Sequence, residues 1–381
     1  MKTYPKWLSA AVLSAMLASP AAALETKAKN VILMDYDTGE YLFAENAFVP
    51  VAPASMSKLM TVYVLFSKLK DGTLSLEDVF SVSENAWRTG GAASGSSTMF
   101  LPIGSKVTVE NLIKGIIIQS GNDACIVAAE NIAGSEEDFA ELMNAKAKEL
   151  GLKNSHFVNS TGLPHPDHRM SAEDLARLAQ ALIRDFPEYY SVFSQKSFTY
   201  NNILQGNRNP LLYSMPDADG LKTGHTAEAG FCLTASVKRG DRRLIGGMTG
   251  LKSNKERSEE AEKLMNWGFR EFNNYKVFKQ FQRIVSVPVY MGEEKSIDLA
   301  VDEDVIMTIA RSKARDVKLT AVYEKPVKAP VAQGDKLGEV KIEIPGGEVK
   351  TVPLYADHSI RKLGFWGRIL SNVKYLLFGA E

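Results

Sequence analysis

The chain has little cysteine: two residues in 381, Cys125 and Cys232. That excludes a disulfide framework as its source of stability. Cys125 reads as the apolar face of a helix and Cys232 as part of a strand, Gly230 to Ala235. Two buried thiols are therefore preferred over a single bridge. Neither has a base nearby in sequence, which argues against a thiol nucleophile. The chain also lacks net charge, with 45 Lys and Arg against 45 Asp and Glu. No global field draws nucleic acid or an acidic substrate, and the body of the chain has no basic stripe with interleaved aromatics. No apolar run is long enough to span a bilayer comfortably. The run from Trp7 to Leu17 is short. Lys2 and Lys6 form a short basic region before it, Ala18-Ser19-Pro20 ends it, and Ala21-Ala22-Ala23 supplies small residues. This pattern predicts a secretory signal peptide over 1–23, cut after Ala23, in preference to a retained anchor.

The remainder divides by texture. A hairpin is expected over Asn30 to Ala44, with its turn at Asp37-Thr38-Gly39. Helical periodicity dominates from Ser55 to about Arg184, with runs at Val109–Ile118, Asn122–Ile132, Glu136–Leu150 and Ala172–Asp185. Strands return at Lys196–Tyr200, Gly220–Thr223, Gly230–Val237 and Arg242–Met248, and a helix follows over Glu256–Phe272. Strands at both ends with helices between predict one sheet whose N- and C-terminal strands are neighbours. We expect this unit to occupy 24–273. A small β-rich unit is expected over 274–358, with short strands and Gly or Asp/Glu turns. Residues 359–381 have apolar positions at helical spacing, with Arg361, Lys362, Arg368 and Lys374 and no acid before Glu381. A cationic, tryptophan-bearing terminal helix of this length should lie on an anionic membrane surface rather than cross it.

Three short motifs carry the chemistry: Ser55-Met56-Ser57-Lys58, Ser120-Gly121-Asn122 and Lys222-Thr223-Gly224. Singly they are weak. Ser-x-x-Lys recurs at Ser67/Lys70, Ser359/Lys362 and Ser371/Lys374, and Ser-x-Asn at Ser83/Asn85. Context selects among them. Ser55 opens an apolar-periodic run just after Pro53, at a helix start. Ser120 follows one apolar segment and opens another.

A serine hydroxyl needs a base. Lys58 shares a helix face with Ser55 and could act as one if burial or a second lysine lowers its pKa. Lys222 is that second lysine. Ser120 could relay a proton, and the Asn122 amide could hold a substrate carbonyl and position Lys58. Taken alone, Ser120 would be read as an N-cap and Lys222 as a surface lysine. Lys222 and Thr223 suit a terminal carboxylate, Gly224 permits close backbone approach, and the N–H groups of Ser55 and His225 would form an oxyanion hole.

The order Ser-x-x-Lys, Ser-x-Asn, Lys-Thr-Gly is that of penicillin-binding proteins and class A β-lactamases. The stretches Pro53–Thr61, Gln119–Cys125, Gly151–Phe157, Asn207–Asn209 and Gly220–Thr226 make the match more specific. The chain resembles the low-molecular-mass penicillin-binding proteins of the serine D-Ala-D-Ala carboxypeptidase type over almost its whole length. The resemblance implies an α/β (α+β) penicillin-recognising, β-lactamase-like catalytic domain, a small C-terminal all-β domain and an amphipathic C-terminal helix. It implies removal of the terminal D-Ala from peptidoglycan pentapeptides through a Ser55 acyl-enzyme, with β-lactams acylating the same serine. Neither cofactor nor metal is implied. The expected location is the periplasm, on the outer face of the cytoplasmic membrane. By position, Ser55 is the nucleophile and Lys58 the base, Ser120 and Asn122 form the second motif, and Lys222, Thr223, Gly224 and His225 line the carboxylate side. Arg208 and Arg257 sit where the family places arginines.

The loop Thr161–Arg169 departs from the pattern, with two prolines and a His165-x-x-His168. This bears on substrate binding rather than on the core chemistry. Two loop histidines without a third ligand are not expected to bind metal. Three rivals remain: a β-lactamase, for which Glu173 would be the added base; a D,D-endopeptidase; and a non-catalytic peptidoglycan-binding protein.

Overall fold

The computed structural model describes residues 24–347, 349–367 and 369. The expected signal peptide over 1–23 and the greater part of the helix expected over 359–381 lie outside the described residues. Five strands, β1 (Asn30–Asp35), β2 (Tyr41–Glu45), β3 (Ala218–Thr226), β4 (Gly230–Arg239) and β5 (Arg242–Leu251), form one antiparallel sheet in the order β2-β1-β5-β4-β3. The N-terminal hairpin thus pairs with the last strand, as its apolar runs predict. All of β1 is buried. Val31 and Leu33 pack with Leu233, Leu244 and Met248, whereas Ile32 and Met34 join the larger helical core on the other face. Burial on both faces explains why the strand reads as a continuous apolar run rather than an alternating one.

The main helices are α1 (Lys58–Lys70), α2 (Asn122–Ala133), α3 (Glu136–Glu149), α4 (Ala172–Asp185) and α5 (Asn254–Glu271). Ser135, Ser171 and Ser253 cap α3, α4 and α5 by accepting from the backbone N–H three residues on. Adjacent glycines of β5 let helices approach the sheet from both sides. A Cβ on Gly246 would lie 2.8 Å from Met265 Cε of α5, and one on Gly247 would lie 3.0 Å from the Ala172 carbonyl of α4. Helix α1 is buried along Lys58 to Phe66, so it runs through the core and needs no polar face there. The helix expected over Val109–Ile118 is α-helical to Lys114 and widens to a π-helix over Gly115–Gln119.

Helix α5 ends at Glu271, and β6 (Phe272–Phe278) follows directly, a strand the periodicity did not reveal. Beyond it come β7 (Arg283–Tyr290), β8 (Ser296–Ala300), β9 (Val305–Ala310), β10 (Lys318–Tyr323), β11 (Val327–Lys328), β12 (Lys336–Glu343) and β13 (Val349–Ala356). β6 pairs with β9, and the others form a sheet in the order β10-β12-β13-β8-β7-β11 around Val287, Ile297, Leu299, Ile342 and Leu354. Asp35 ties the two units together. Buried at the end of β1, it accepts from Arg242 Nε at 2.8 Å and from Asn274 Nδ2 at 3.1 Å. Among the described residues no helix is long and apolar enough to cross a membrane.

Candidate active site

Ser55 lies on a single 3-10 turn, Ala54–Ser57, that runs into α1. The turn is wedged between β3 and the loop after Asn159. A Cβ on Gly224 would fall 3.0 Å from the Pro53 carbonyl and 3.1 Å from Ala54 Cβ. One on Gly162, whose φ is +77°, would fall 2.1 Å from the Ala54 carbonyl oxygen. The glycine of the Lys-Thr-Gly motif therefore makes room for the turn carrying Ser55. The sequence pointed only to backbone approach there, not to which backbone approaches.

Lys58 is fully buried, and its ammonium has three partners. Nζ lies 2.9 Å from Ser55 Oγ, 2.7 Å from Asn122 Oδ1 and 2.5 Å from the Thr161 carbonyl oxygen. Burial pulls its pKa down to about 8, and the positive charge of Arg208 adds to the effect. Lys222, 2% exposed, is also pushed well below the ordinary lysine range, first by burial and then by the charges of Lys58 and Arg208.

Ser120 is not an N-cap. It ends the preceding helix in the left-handed region, φ +65°, and Gly121 takes the N-cap position of α2. This conformation places Ser120 in one cleft with Ser55. Asn122 opens α2. Its Nδ2 donates to Ser96 Oγ at 2.9 Å and its Oδ1 accepts from Lys58, so the amide orientation is fixed at both ends.

The cleft, roughly 220 Å³, is lined by Ser55, Ser120, Thr223, Gly224, His225 and the two arginines, among others. Arg208 donates to Ser97 Oγ at 2.5 Å. Arg257, 5% exposed, reaches the Gly224 and Cys232 carbonyls at 3.4 Å each, and burial lowers its pKa to about 10. The His225 ring is exposed and stacks on Phe231, with centroids 4.1 Å apart.

The repeated motifs outside the cleft have structural roles. Ser67 Oγ bonds back to the Tyr63 carbonyl, Ser83 Oγ accepts from the Ala86 N–H, and Ser359 Oγ accepts from the Gln333 N–H. Ser371/Lys374 lies outside the described residues. Glu173 is engaged by Tyr41 and Arg177 and does not line the cleft. His168 is buried with its pKa pushed down to about 4 by desolvation, and its Nδ1 accepts from the Val158 N–H; His165 is exposed. Cys125 and Cys232 are buried free thiols whose pKa values burial raises to about 12 and about 11.

Three contributors escaped the motif reading. The Thr161 carbonyl touches Lys58, so the divergent loop does meet the core chemistry. Ser96 holds Asn122. Asp123, fully buried, accepts from the N–H groups of Met99 and Leu101 at 2.9 and 3.0 Å and from Thr98 Oγ1 at 2.6 Å. A serine hydrogen-bonded to a buried lysine, beside a second serine and two arginines, is an arrangement able to support acyl transfer at a serine.

Comparison with known proteins fixes the family. Residues 16–252 match the peptidase family described as D-alanyl-D-alanine carboxypeptidase, and residues 272–362 match the C-terminal domain of penicillin-binding protein 5. The chain is 40% identical over 352 residues to D-alanyl-D-alanine carboxypeptidase DacA of Escherichia coli strain K12, covering 92% of this chain and 87% of that protein. It is 42% identical over 341 residues to DacC of the same strain, covering 89% and 85%. Among solved structures, penicillin-binding protein 5 of Haemophilus influenzae superposes with a TM-score of 0.79 at 36% identity, covering 89% of this chain and 99% of that one. The chain belongs to the D-alanyl-D-alanine carboxypeptidase family and has its two-part architecture, an α/β catalytic unit followed by an all-β unit. It is a serine hydrolase of the penicillin-binding kind.

Proposed function

We propose that Ser55 is the acylated nucleophile of this carboxypeptidase and that Lys58 takes its proton. The observation that carries the assignment is the 2.9 Å contact between Lys58 Nζ and Ser55 Oγ, made by a lysine that burial has brought to a pKa of about 8. Neutral Lys58 accepts the Ser55 proton as Oγ bonds to the carbonyl carbon of the penultimate D-Ala. The N–H groups of Ser55 and His225 receive the oxyanion. Ser120 passes a proton to the departing amine, the C–N bond breaks, and D-Ala leaves. Water then attacks the ester by the same route, releasing the shortened peptide and free Ser55. Asn122 holds Lys58 and the substrate amide. Lys222, Thr223 and Arg257, with Arg208 at the rim, hold the terminal carboxylate. In a β-lactam the amine stays tethered to the acyl group, so the ester persists.

Export by residues 1–23 would place the enzyme in the periplasm. The tail over 359–381 would hold it peripherally on the anionic outer face of the cytoplasmic membrane. Phe365 and Trp366, 63% and 80% exposed at the start of that tail, support this reading. The β-rich unit would lift the cleft toward the wall, and trimming stem peptides would tie the enzyme to cell-wall biogenesis and cell shape.

The test is D-Ala release from a diacyl-L-Lys-D-Ala-D-Ala peptide by a soluble form lacking 1–23 and 360–381, beside Ser55→Ala. Release by the parent that vanishes in the variant is expected. Equal release by both would remove Ser55 from its role. Labelling by a fluorescent penicillin separates an enzyme from a binding module. Co-sedimentation of the full mature chain, but not the truncated form, with anionic vesicles tests the tail.

A further inference from the structure

Beyond Arg208 and Arg257 the cleft opens into a second basin of about 580 Å³; Arg208, Asn254 and Arg257 line both. Asn207, Tyr213 and Ser258 complete much of its wall, and none of its lining residues carries a carboxylate. Several features make the basin electropositive. Asn254, Arg257 and Ser258 belong to the first turns of α5, an 18-residue helix whose peptide dipoles point their positive end here. Arg257 is 5% exposed, and its Nε is buried without a hydrogen-bond partner. Tyr213, which lines the basin, has Lys196 Nζ 5.6 Å from its ring centroid. The acids in the first half of α5 have other partners or a weak one: Glu256 accepts from the Lys252 N–H and faces Lys27, Glu259 lies 3.7 Å from Lys255 Nζ, Glu260 lies 3.8 Å from Lys263 Nζ, and Glu262 takes the Ser258 hydroxyl at 3.3 Å.

We propose that this basin binds the side chain of the departing D-amino acid and favours an anionic side chain over a cationic one. The inference rests on the carboxypeptidase reading above. With the carboxylate of the departing residue against Thr223 and Arg257, its other Cα substituent is the side chain. The chamber that shares Arg257 is the adjoining space. A methyl group adds little there; a D-Glu side chain carries its carboxylate further from Cα, toward the wall where Arg208 and Arg257 are shared with the cleft and the α5 N-terminus adds its dipole. The chemistry is the same hydrolysis. The amide C–N bond breaks as the Ser55 ester forms, the amine of the free D-amino acid takes up the proton, and one water completes the turnover.

The experiment compares diacyl-L-Lys-D-Ala-D-Xaa peptides with Xaa as Ala, Glu or Lys on the mature chain. The expected kcat/KM for D-Glu release exceeds that for D-Lys by about tenfold, the size a few partly screened charges produce together. The gap should narrow at high salt. Ser258→Asp, which adds a carboxylate to the wall, should collapse the D-Glu to D-Lys ratio, a quantity measured within one preparation and so insensitive to partial misfolding. Equal D-Glu and D-Lys release with D-Ala release intact would overturn the basin's role and leave the carboxypeptidase standing. Absence of D-Ala release would overturn both.

Discussion

Glu136 Oε1 accepts two hydrogen bonds from Ser160, one from its backbone N–H at 3.1 Å and one from its Oγ at 2.5 Å. The neighbouring carbonyls face the other way. Ser160 O accepts from Thr61 Oγ1 at 2.6 Å, and Thr161 O accepts from Lys58 Nζ. Glu136, at the start of α3, thus holds from behind the peptide that presents an acceptor to Lys58. Glu136→Gln keeps an acceptor oxygen but removes the charge, and should cost up to about 1.5–3 kcal/mol of stability, the range for a hydrogen bond to an ionised group. Penicillin acylation should slow while KM for the peptide changes less. Stopped-flow acylation beside urea denaturation checks this. Wild-type acylation with lowered stability would make Glu136 structural only.

Gly162 is the strictest requirement on the same loop. Its φ of +77° disfavours any L side chain, and a Cβ would overlap the Ala54 carbonyl oxygen at 2.1 Å. Gly162→Ala therefore combines backbone strain with displacement of the Ser55 turn, a loss of about 1–3 kcal/mol from strain alone. We expect a lower melting temperature and near-complete loss of D-Ala release. A variant with parental activity would show that the Ser55 turn tolerates movement.

The pH dependence follows from Lys58. A base must be neutral, and burial places the pKa of this lysine at about 8. Below that pH the ammonium form dominates, so kcat/KM should fall about tenfold per pH unit going down and level off above it. Lys58→Arg cannot deprotonate in this range and should cut acylation by at least about 100-fold, the usual contribution of a general base. Rates that stay flat across the neutral range would assign the proton transfer to another group.

What the sequence reveals and conceals divides along a physical line. The helices from Glu136 and from Ala172 were readable from their apolar period, whereas the last one starts at Asn254, two residues before the expected Glu256, because its cap is Ser253. Ser55 and Lys58 were readable because a spacing of three on a helix is itself a geometry. The Thr161 carbonyl was not: a backbone acceptor carries no side-chain signature, and it meets Lys58 across 103 residues. β6 escaped because α5 runs into it without a turn and its Asn273-Asn274 pair has low strand propensity. The left-handed Ser120 escaped because serine normally marks a helix start, and only the helix packed before it sets its φ.

Asp123 links the second motif to the rim of the cleft. Its carboxylate receives three donors from the 98–101 segment. Just upstream, Ser96 Oγ holds Asn122, the Ser97 carbonyl accepts from the Asn122 N–H at 2.7 Å, and Ser97 Oγ holds Arg208. Asp123→Asn turns one acceptor oxygen into an NH₂ facing backbone N–H groups, leaving buried donors unpaired at about 1–3 kcal/mol each. The 96–101 segment should loosen, and with it both Asn122 and Arg208. Acylation and carboxylate recognition should therefore fail together, seen as a lower acylation rate and a higher KM. Ser96→Ala removes only the bond to Asn122 and should slow acylation with KM nearly unchanged. If the two variants give the same kinetic pattern, Asp123 does not couple the motif to the rim, and the arginine side of the cleft is held independently.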